Sequence, residues 1–374
     1  QDNARSGGQI WTAGGFNFTG GNSWTGMSTL STTDYIVTAS DSHYINATPF
    51  KNVVVNTTGA PSFQNYAPDA GTSNLILANG TMTKFGNDGS ATGTMSVNNI
   101  TIATGANMDN ASLAPVLSCA GDFTTSGGLL GASCAEFNGS SESAATSSTT
   151  TWGFGDAFSI EFWFKTSFNG SSNVLDFAES SGNDNRIQVL QTASEMAFKV
   201  YNSSGSSYQL GTTAFAINPD DGKWHHLAYT NSGSEQKIYY DGRLAGTSSH
   251  TIDRDSDPSM KLTVGMHTSL GSHYSGFMEE LRFFSDVRTV GEIRTNMFKS
   301  GYANLKLEDG STASFAGLVA AYDFDEGNST TAKSLEDSSP TTARNLILSG
   351  DGIWAGAGTF SNISNGQTLV MSGG

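Results

Sequence analysis

The chain has 374 residues, room for two domains or for one large β domain with an appendage. Its formal charge of −16 repels phosphate backbones and argues against nucleic acid as a partner, and no apolar run approaches the roughly 20 residues that span a bilayer. Ser and Thr total 92, with 44 Gly and 28 Asn, yet aromatics still make up 10% of the chain, enough to fill a sandwich core and to argue against disorder.

Residues 1–130 have very few charges and read as a Gly/Thr/Asn-rich β module. Three segments align: Asn52-Val-Val-Val-Asn-Thr-Thr-Gly59, Asn74-Leu-Ile-Leu-Ala-Asn-Gly80 and Asn99-Ile-Thr-Ile-Ala-Thr-Gly105, with Val116-Leu-Ser-Cys-Ala-Gly121 as a degenerate copy. Their spacing of 22 and then 25 residues predicts a β-solenoid with one short strand per rung, stacking Val54, Ile76 and Ile100 into an interior ladder. The other reading is an antiparallel sandwich with Asn- and Gly-rich turns. His43, Asp41, Lys51 and Asp69 are scattered and form no catalytic constellation, so the segment reads as a stalk or assembly module. Gln1 in place of a Met is what a matured or trimmed end would leave, with no signal peptide pattern in view.

Cys119 and Cys134 lie in adjacent expected strands on either side of Thr124-Thr-Ser-Gly-Gly, so the spacing suits a disulfide, which would contribute on the order of 3 kcal/mol. The alternative is two buried thiols. Eleven Asn-x-Ser/Thr sequons occur, at Asn17, Asn46, Asn56, Asn79, Asn99, Asn110, Asn138, Asn169, Asn202, Asn328 and Asn362. They would carry glycans if the chain passes through a eukaryotic secretory pathway.

Residues 131–374 read differently. Phe158, Ile160, Phe162 and Phe164 alternate with Ser159, Glu161, Trp163 and Lys165, the pattern of a strand with one apolar face. Gly222-Lys-Trp-His-His-Leu-Ala-Tyr and Ile238-Tyr-Tyr-Asp-Gly-Arg predict two strands, with Asp241-Gly242 a hairpin turn. Gly276-Phe-Met-Glu-Glu-Leu-Arg-Phe-Phe predicts a third. Thr289-Val-Gly-Glu292 is a capping-box pattern opening one short helix with Ile293 and Met297 on one side.

Together with Ala135-Glu-Phe-Asn-Gly-Ser-Ser, these motifs resemble the laminin-G-like, concanavalin A-like jelly roll over about residues 131–360. The expected fold is therefore all-β, a jelly-roll sandwich preceded by the β module. Gly317-Leu-Val-Ala-Ala-Tyr-Asp-Phe-Asp-Glu-Gly and Leu335-Glu-Asp-Ser-Ser resemble family segments that usually precede the domain, which implies a closing strand from the C-terminal end. The resemblance further implies a structural calcium through Asp337, with Glu280 or Asp325 as partners, although Pro340-Thr-Thr-Ala departs from the usual loop.

A glycosidase of this fold needs two carboxylates flanking the scissile bond. Asp323 and Asp325 share an expected strand face, Glu279 and Glu280 point to opposite faces, and the alternating Glu/Asp pattern of the fold's hydrolases is absent. His225 and His226 also face opposite ways and cannot jointly hold one ion, so one is expected in the core and the other at the surface. For glycan binding, aromatic platforms beside polar groups are needed. The candidates in expected loops are Trp152, Tyr201, Tyr208, His273 and Tyr274, with Asp184, Asn185 and Arg186.

The sequence thus reads as a non-catalytic, surface-displayed structural or adhesion protein, extracellular or at a virion surface. Its expected partners are copies of itself, other subunits of a virion fibre or filament, and glycans. The alternative is a secreted carbohydrate-binding lectin, and a glycoside hydrolase is the weakest reading.

Overall fold

A computed structural model describes residues 9–12, 33–40, 42–44, 50–64, 74–82, 94–109, 116–153, 155–179, 182–212, 218–268, 271–305, 317–326, 334–335, 344–349, 359–361 and 368–371. The chain divides into two compact units, Gln1–Ala132 with Gly356–Gly374, and Ser133–Ala355.

In the first unit, β1 (Gln9–Thr12), β2 (Asp34–Val37), β3 (Ser42–Tyr44), β4 (Asn52–Asn56), β5 (Ser62–Gln64), β6 (Asn74–Met82), β7 (Thr94–Val97), β8 (Ile100–Ala103), β9 (Ala106–Asp109), β10 (Val116–Cys119) and β11 (Phe123–Gly127) follow in order. The main sheet runs β1-β2-β4-β6-β8-β11, and each neighbouring pair is parallel. Side strands pair the same way, β3 with β5, β9 with β6, and β10 with β7.

The aligned copies therefore stack in parallel, but the interior row differs from the expected one. Leu75, not Ile76, pairs with Ile100, and Val53 pairs with Leu75. The core cluster accordingly holds Val53, Leu75 and Ile100 in one row and Val55, Leu77 and Ile102 in the next. Val54 and Ile76 turn to the other face, because a strand alternates sides at every residue. At the start of each copy, asparagine amides link one strand to the next. Asn52 Nδ2 donates to Asp34 Oδ1 at 2.7 Å, Asn74 Nδ2 to Asn52 Oδ1 at 2.9 Å, and Asn99 Nδ2 to Asn74 Oδ1 at 3.1 Å. Asn99 Oδ1 then accepts from Asp122 N at 2.9 Å.

The second unit is a two-sheet antiparallel sandwich. Its strands are β12 (Ala135–Asn138), β13 (Ser143–Thr146), β14 (Thr150–Thr151), β15 (Ala157–Lys165), β16 (Ser172–Ala178), β17 (Ile187–Gln191), β18 (Met196–Tyr201), β19 (Ser207–Gly211), β20 (Trp224–Ser232), β21 (Gln236–Tyr240), β22 (Arg243–Ser248), β23 (Ser259–Val264), β24 (Ser275–Phe284), β25 (Leu318–Tyr322), β26 (Ser334–Leu335) and β27 (Leu346–Ser349). One sheet runs β12-β24-β15-β20-β21-β22 with β25 beside β24, and the other β19-β18-β17-β16-β23-β13-β27-β26 with β14 beside β23. Phe158, Ile160, Phe162 and Phe164 enter the shared core with Phe177, Val189 and Phe198 from the other sheet, as the alternation in β15 requires.

The hairpin between β21 and β22 pairs Tyr240 with Arg243. Asp241 has φ 52° and Gly242 φ 69°, so both central residues occupy the left-handed region that a two-residue primed turn demands. Helix α1 (Val290–Asn296) opens on the expected capping box, with Glu292 N donating to Thr289 Oγ1 and Thr289 N to Glu292 Oε2. Ile293 and Met297 are both buried.

The chain then returns to the first unit. There β28 (Thr359–Ser361) pairs in parallel with β9, and β29 (Thr368–Met371) with β10. The sandwich closes instead with β27 against β13, so residues 356–374 group with the first unit and not with the jelly roll to which the sequence reading assigned them.

Candidate functional site

The predicted polar trio and Tyr201 do come together, at one end of the nine-stranded sheet. Tyr201 N donates to Arg186 O at 2.8 Å, and Asn185 N to Asn202 O at 3.0 Å. Their polar atoms are turned to internal work, however. Arg186 forms a bidentate pair with Asp176, Nε to Oδ1 at 2.8 Å and Nη2 to Oδ2 at 2.6 Å, and Thr268 donates its N and Oγ1 to the same carboxylate. Burial would raise the Asp176 pKa, but the Arg186 and Thr268 bonds outweigh it and hold it below the usual range. Asn185, with φ 55°, donates Nδ2 to Asp255 at 2.7 Å. Of the trio only Asp184 is exposed.

The expected exposure of the aromatic candidates needs correction for three residues. Trp152 is fully buried, its Nε1 donating to Met260 O at 2.9 Å and its ring edge-on to Phe177 at 4.7 Å. Tyr274 is fully buried with its hydroxyl 3.2 Å from Phe277 O, and Tyr201 is buried with its hydroxyl on Gln188 Oε1 at 3.3 Å. A backbone or amide acceptor for the N–H or O–H is what permits these large rings to be buried. Tyr208 stacks on His250 at 4.8 Å, and His273 sits half-buried in a bridge to Met266. The candidates therefore do not form one platform.

The remaining sequence-derived sites also shift. Cys119 and Cys134 are both buried, unbridged thiols. Cys119 Sγ lies 3.3 Å from Asn98 O and 3.4 Å from Asp122 O, while burial pushes the Cys134 thiol well up. They fall in different units, so the spacing that suggested a disulfide does not reflect a shared hairpin. Asp337 lies outside the described residues. Glu280 is buried, donating nothing and accepting from Arg282 Nη2 at 2.7 Å and from Gly301 N at 3.0 Å. Asp325 accepts from Ser133 N at 3.1 Å. Among the described residues no group of three or more His, Cys, Asp or Glu is arranged to hold a metal ion.

Asp323 and Asp325 lie past the end of β25, separated by Phe324 at φ 63°, so they do not share a strand face. Of the sequons, Asn138 and Asn169 are exposed and Asn202 is partly so. Asn56 and Asn79 are buried, and the Asn99 amide lies in the asparagine ladder. Asn17, Asn46, Asn110, Asn328 and Asn362 lie outside the described residues.

On the outer face of the seven-stranded sheet, a register shift opposite Glu161 and Trp163, with φ 54° at Glu280, marks a bulge in β24. Because of it Glu280, like Glu279, reaches the outer face, against the expected opposite orientation. Arg282 bonds both Glu161 at 3.1 Å and Glu280 at 2.7 Å. Burial pushes Glu280 up to about 7 against the pull of Arg282.

Both histidines are buried, not one. His226 lies against Trp163, whose Nε1 donates to Met297 O at 2.5 Å, so the segment after α1 covers this face. Burial, aided by Arg282, pulls His226 down to about 3. His225 is held between Asp241, 2.9 Å from Nδ1, and Asp221, 3.0 Å from Nε2. Burial opposes its charge, but the two carboxylates outweigh that and raise it to about 9.

Beyond the part of this face covered by the segment after α1 lies an open groove of about 540 Å³. Its floor is one row of the sheet, since Glu136 pairs with Phe277 and Phe277 with Lys165. Directly opposed residues in antiparallel strands share a face, so Glu136, Phe277 and Lys165 all project from the same face of the sheet. Lys165 is 9% exposed, and burial lowers its pKa to about 8. Its Nζ lies 5.6 Å from the Phe277 ring centre. Phe168, 41% exposed, stands on the wall. Gly276, at φ 154°, has no room for a side chain, because a Cβ would lie 2.4 Å from Lys165 O. Sequence reasoning missed this groove, whose residues come from three distant strands.

The family model described as the concanavalin A-like lectin/glucanases superfamily, of laminin G type, matches residues 138–294. The second unit thus carries a laminin-G-like, concanavalin A-like domain. Among solved structures, the chain is similar to a candidate carbohydrate-binding protein of Bacteroides ovatus at 17% identity and TM-score 0.42, over 59% of this chain and 58% of that one. It is also similar to a heptameric SAP-like pentraxin of Limulus polyphemus at 12% identity and TM-score 0.41, over 60% and 95%. A third similarity is to domains LG4-5 of the mouse laminin alpha1 chain, at 20% identity and TM-score 0.34, over 40% of each. The chain thus spans less than two thirds of the first and third of these. No curated protein matches it.

Proposed function

We propose that this chain is a non-catalytic, surface-displayed carbohydrate-binding protein. In this reading the laminin-G-like sandwich engages glycans, and the N-terminal β module is a β-solenoid that serves as stalk or assembly element. The observation that carries the binding half is the groove on the sandwich, where an exposed ring stands beside a carboxylate, an amine and hydroxyls, the mixture that sugar recognition uses. No helix among the described residues is long and apolar enough to cross a membrane.

The structural half, a repeating subunit of a virion fibre or extracellular filament, is supported by the parallel strands and by the asparagine ladder. Both repeat along one direction, the arrangement that stacking of further copies would extend. Screening the full chain on an immobilised glycan array, with light scattering of the same sample, tests both. Glycan capture supports the lectin reading, and defined oligomers or filaments support the structural one. A monomer that captures no glycan would contradict the proposal.

A further inference from the structure

Resting on the carbohydrate-binding reading, we infer that the groove over the Glu136–Phe277–Lys165 row is the sugar site and that it selects a neutral pyranose. The three residues occupy successive strands β12, β24 and β15 in register. Neighbouring strands lie about 4.8 Å apart, so Glu136 and Lys165 are rooted about 10 Å apart on either side of Phe277, and the Lys165 ammonium lies over the Phe277 ring, 5.6 Å from its centre. A single sugar ring stacked on the exposed Phe168 ring lies within reach of both groups. Glu136 accepts from hydroxyls at one end, and the Lys165 ammonium donates to hydroxyl oxygens at the other.

The surroundings fit a ring-shaped polar ligand. Phe168 offers its exposed ring as the apolar wall, and Gln191 Nε2, donating to Phe168 O at 2.6 Å, fixes the backbone that carries it. Thr166 Oγ1 donates to Ser275 O at 2.7 Å, tying the two walls together. Gly276, where a Cβ would meet Lys165 O and the Tyr274 hydroxyl, lets β24 pass this close to β15 beneath the groove.

Charge decides between neutral and acidic sugars. The groove sets Glu136 beside its only lining cation among the described lining residues, Lys165, and the protein as a whole carries −16. A sulfated or sialylated ligand would meet repulsion from both the local carboxylate and the long-range field.

The test uses the full chain, an array bearing galactose-, glucose- and N-acetylglucosamine-terminated glycans beside sialylated and sulfated ones, and calorimetry with the strongest binder. The variants are Phe168→Ala, which truncates an exposed ring, and Glu136→Gln, which keeps shape and removes charge. Circular dichroism of each variant confirms that it is folded. Neutral glycans should bind preferentially, and each substitution should weaken binding by about tenfold, the size of one lost aromatic or charge-assisted contact. Neutral binding unchanged in both variants would overturn the groove assignment while leaving the lectin reading intact. Capture of acidic glycans alone would overturn the neutral preference. No capture of any glycan would overturn the lectin reading itself, and the groove assignment with it.

Discussion

Replacing Asp241 with Asn tests how the central hairpin of the sandwich is held. Asn tolerates the left-handed backbone almost as readily as Asp, so φ 52° at this position is kept, and its amide oxygen can still accept from His226 N, as Oδ1 does now at 2.8 Å. What is lost is one of the two carboxylates that hold His225 charged. The gap between 6.5 and about 9 for His225 is worth about 3 kcal/mol at 1.36 kcal/mol per pH unit.

Because the folded value is raised, that contribution is complete below pH 6.5 and is lost as pH rises through 9. Removing Asp241 should therefore cost about half of it, roughly 1.5 kcal/mol, near pH 6.5, and should flatten the decline toward pH 9. Urea titrations followed by tryptophan fluorescence at pH 6.5, 7.5, 8.5 and 9.5 read this directly. Curves for the variant and the parent that stay parallel across this range would refute the assignment of the charge to His225.

His226 carries the opposite sign. Its folded value near 3 lies below that of the unfolded chain, so the His226→Gln variant should lose stability less steeply than the parent as pH falls from 6.5 toward 3, measured by the same titrations. Asp176→Ala leaves the Arg186 guanidinium buried without its carboxylate and should cost about 3–5 kcal/mol, seen as a lowered urea midpoint, whereas Arg186→Met combined with Asp176→Leu should recover much of it. In the first unit, Asn74→Ala removes an amide that links Asn52 to Asn99 and should cost about 1–3 kcal/mol, read as earlier proteolysis of that unit. Thiol titration without reductant should find two reactive cysteines on unfolding and none in the native protein.

Local signals proved the most legible in this sequence. Asp241-Gly242 and the Thr289–Glu292 box are short-range devices whose physics is complete within four residues, and both occur where the pattern placed them. The repeat in the first unit was legible as a period, but its interior row was not. In Asn52–Asn56 three consecutive valines leave the inward face undetermined until the neighbouring strand sets it, and Leu75 opposite Ile100 does so.

Aromatic burial was illegible for a similar reason. Trp152 and Tyr274 look like loop residues until Met260 O and Phe277 O supply their acceptors. A bulge at Glu280 could not be read either, since a glutamate with positive φ is not the expected bulge residue. The groove required the register of Glu136, Phe277 and Lys165, residues that only strand pairing brings into one row. Each of these depends on long-range pairing, which local pattern does not encode.

The most direct test of the account is the glycan array with the full chain and the Phe168→Ala variant side by side. Preferential capture of neutral glycans by the parent and its loss in the variant is the predicted result. An array on which the folded parent binds nothing would contradict the carbohydrate-binding function itself.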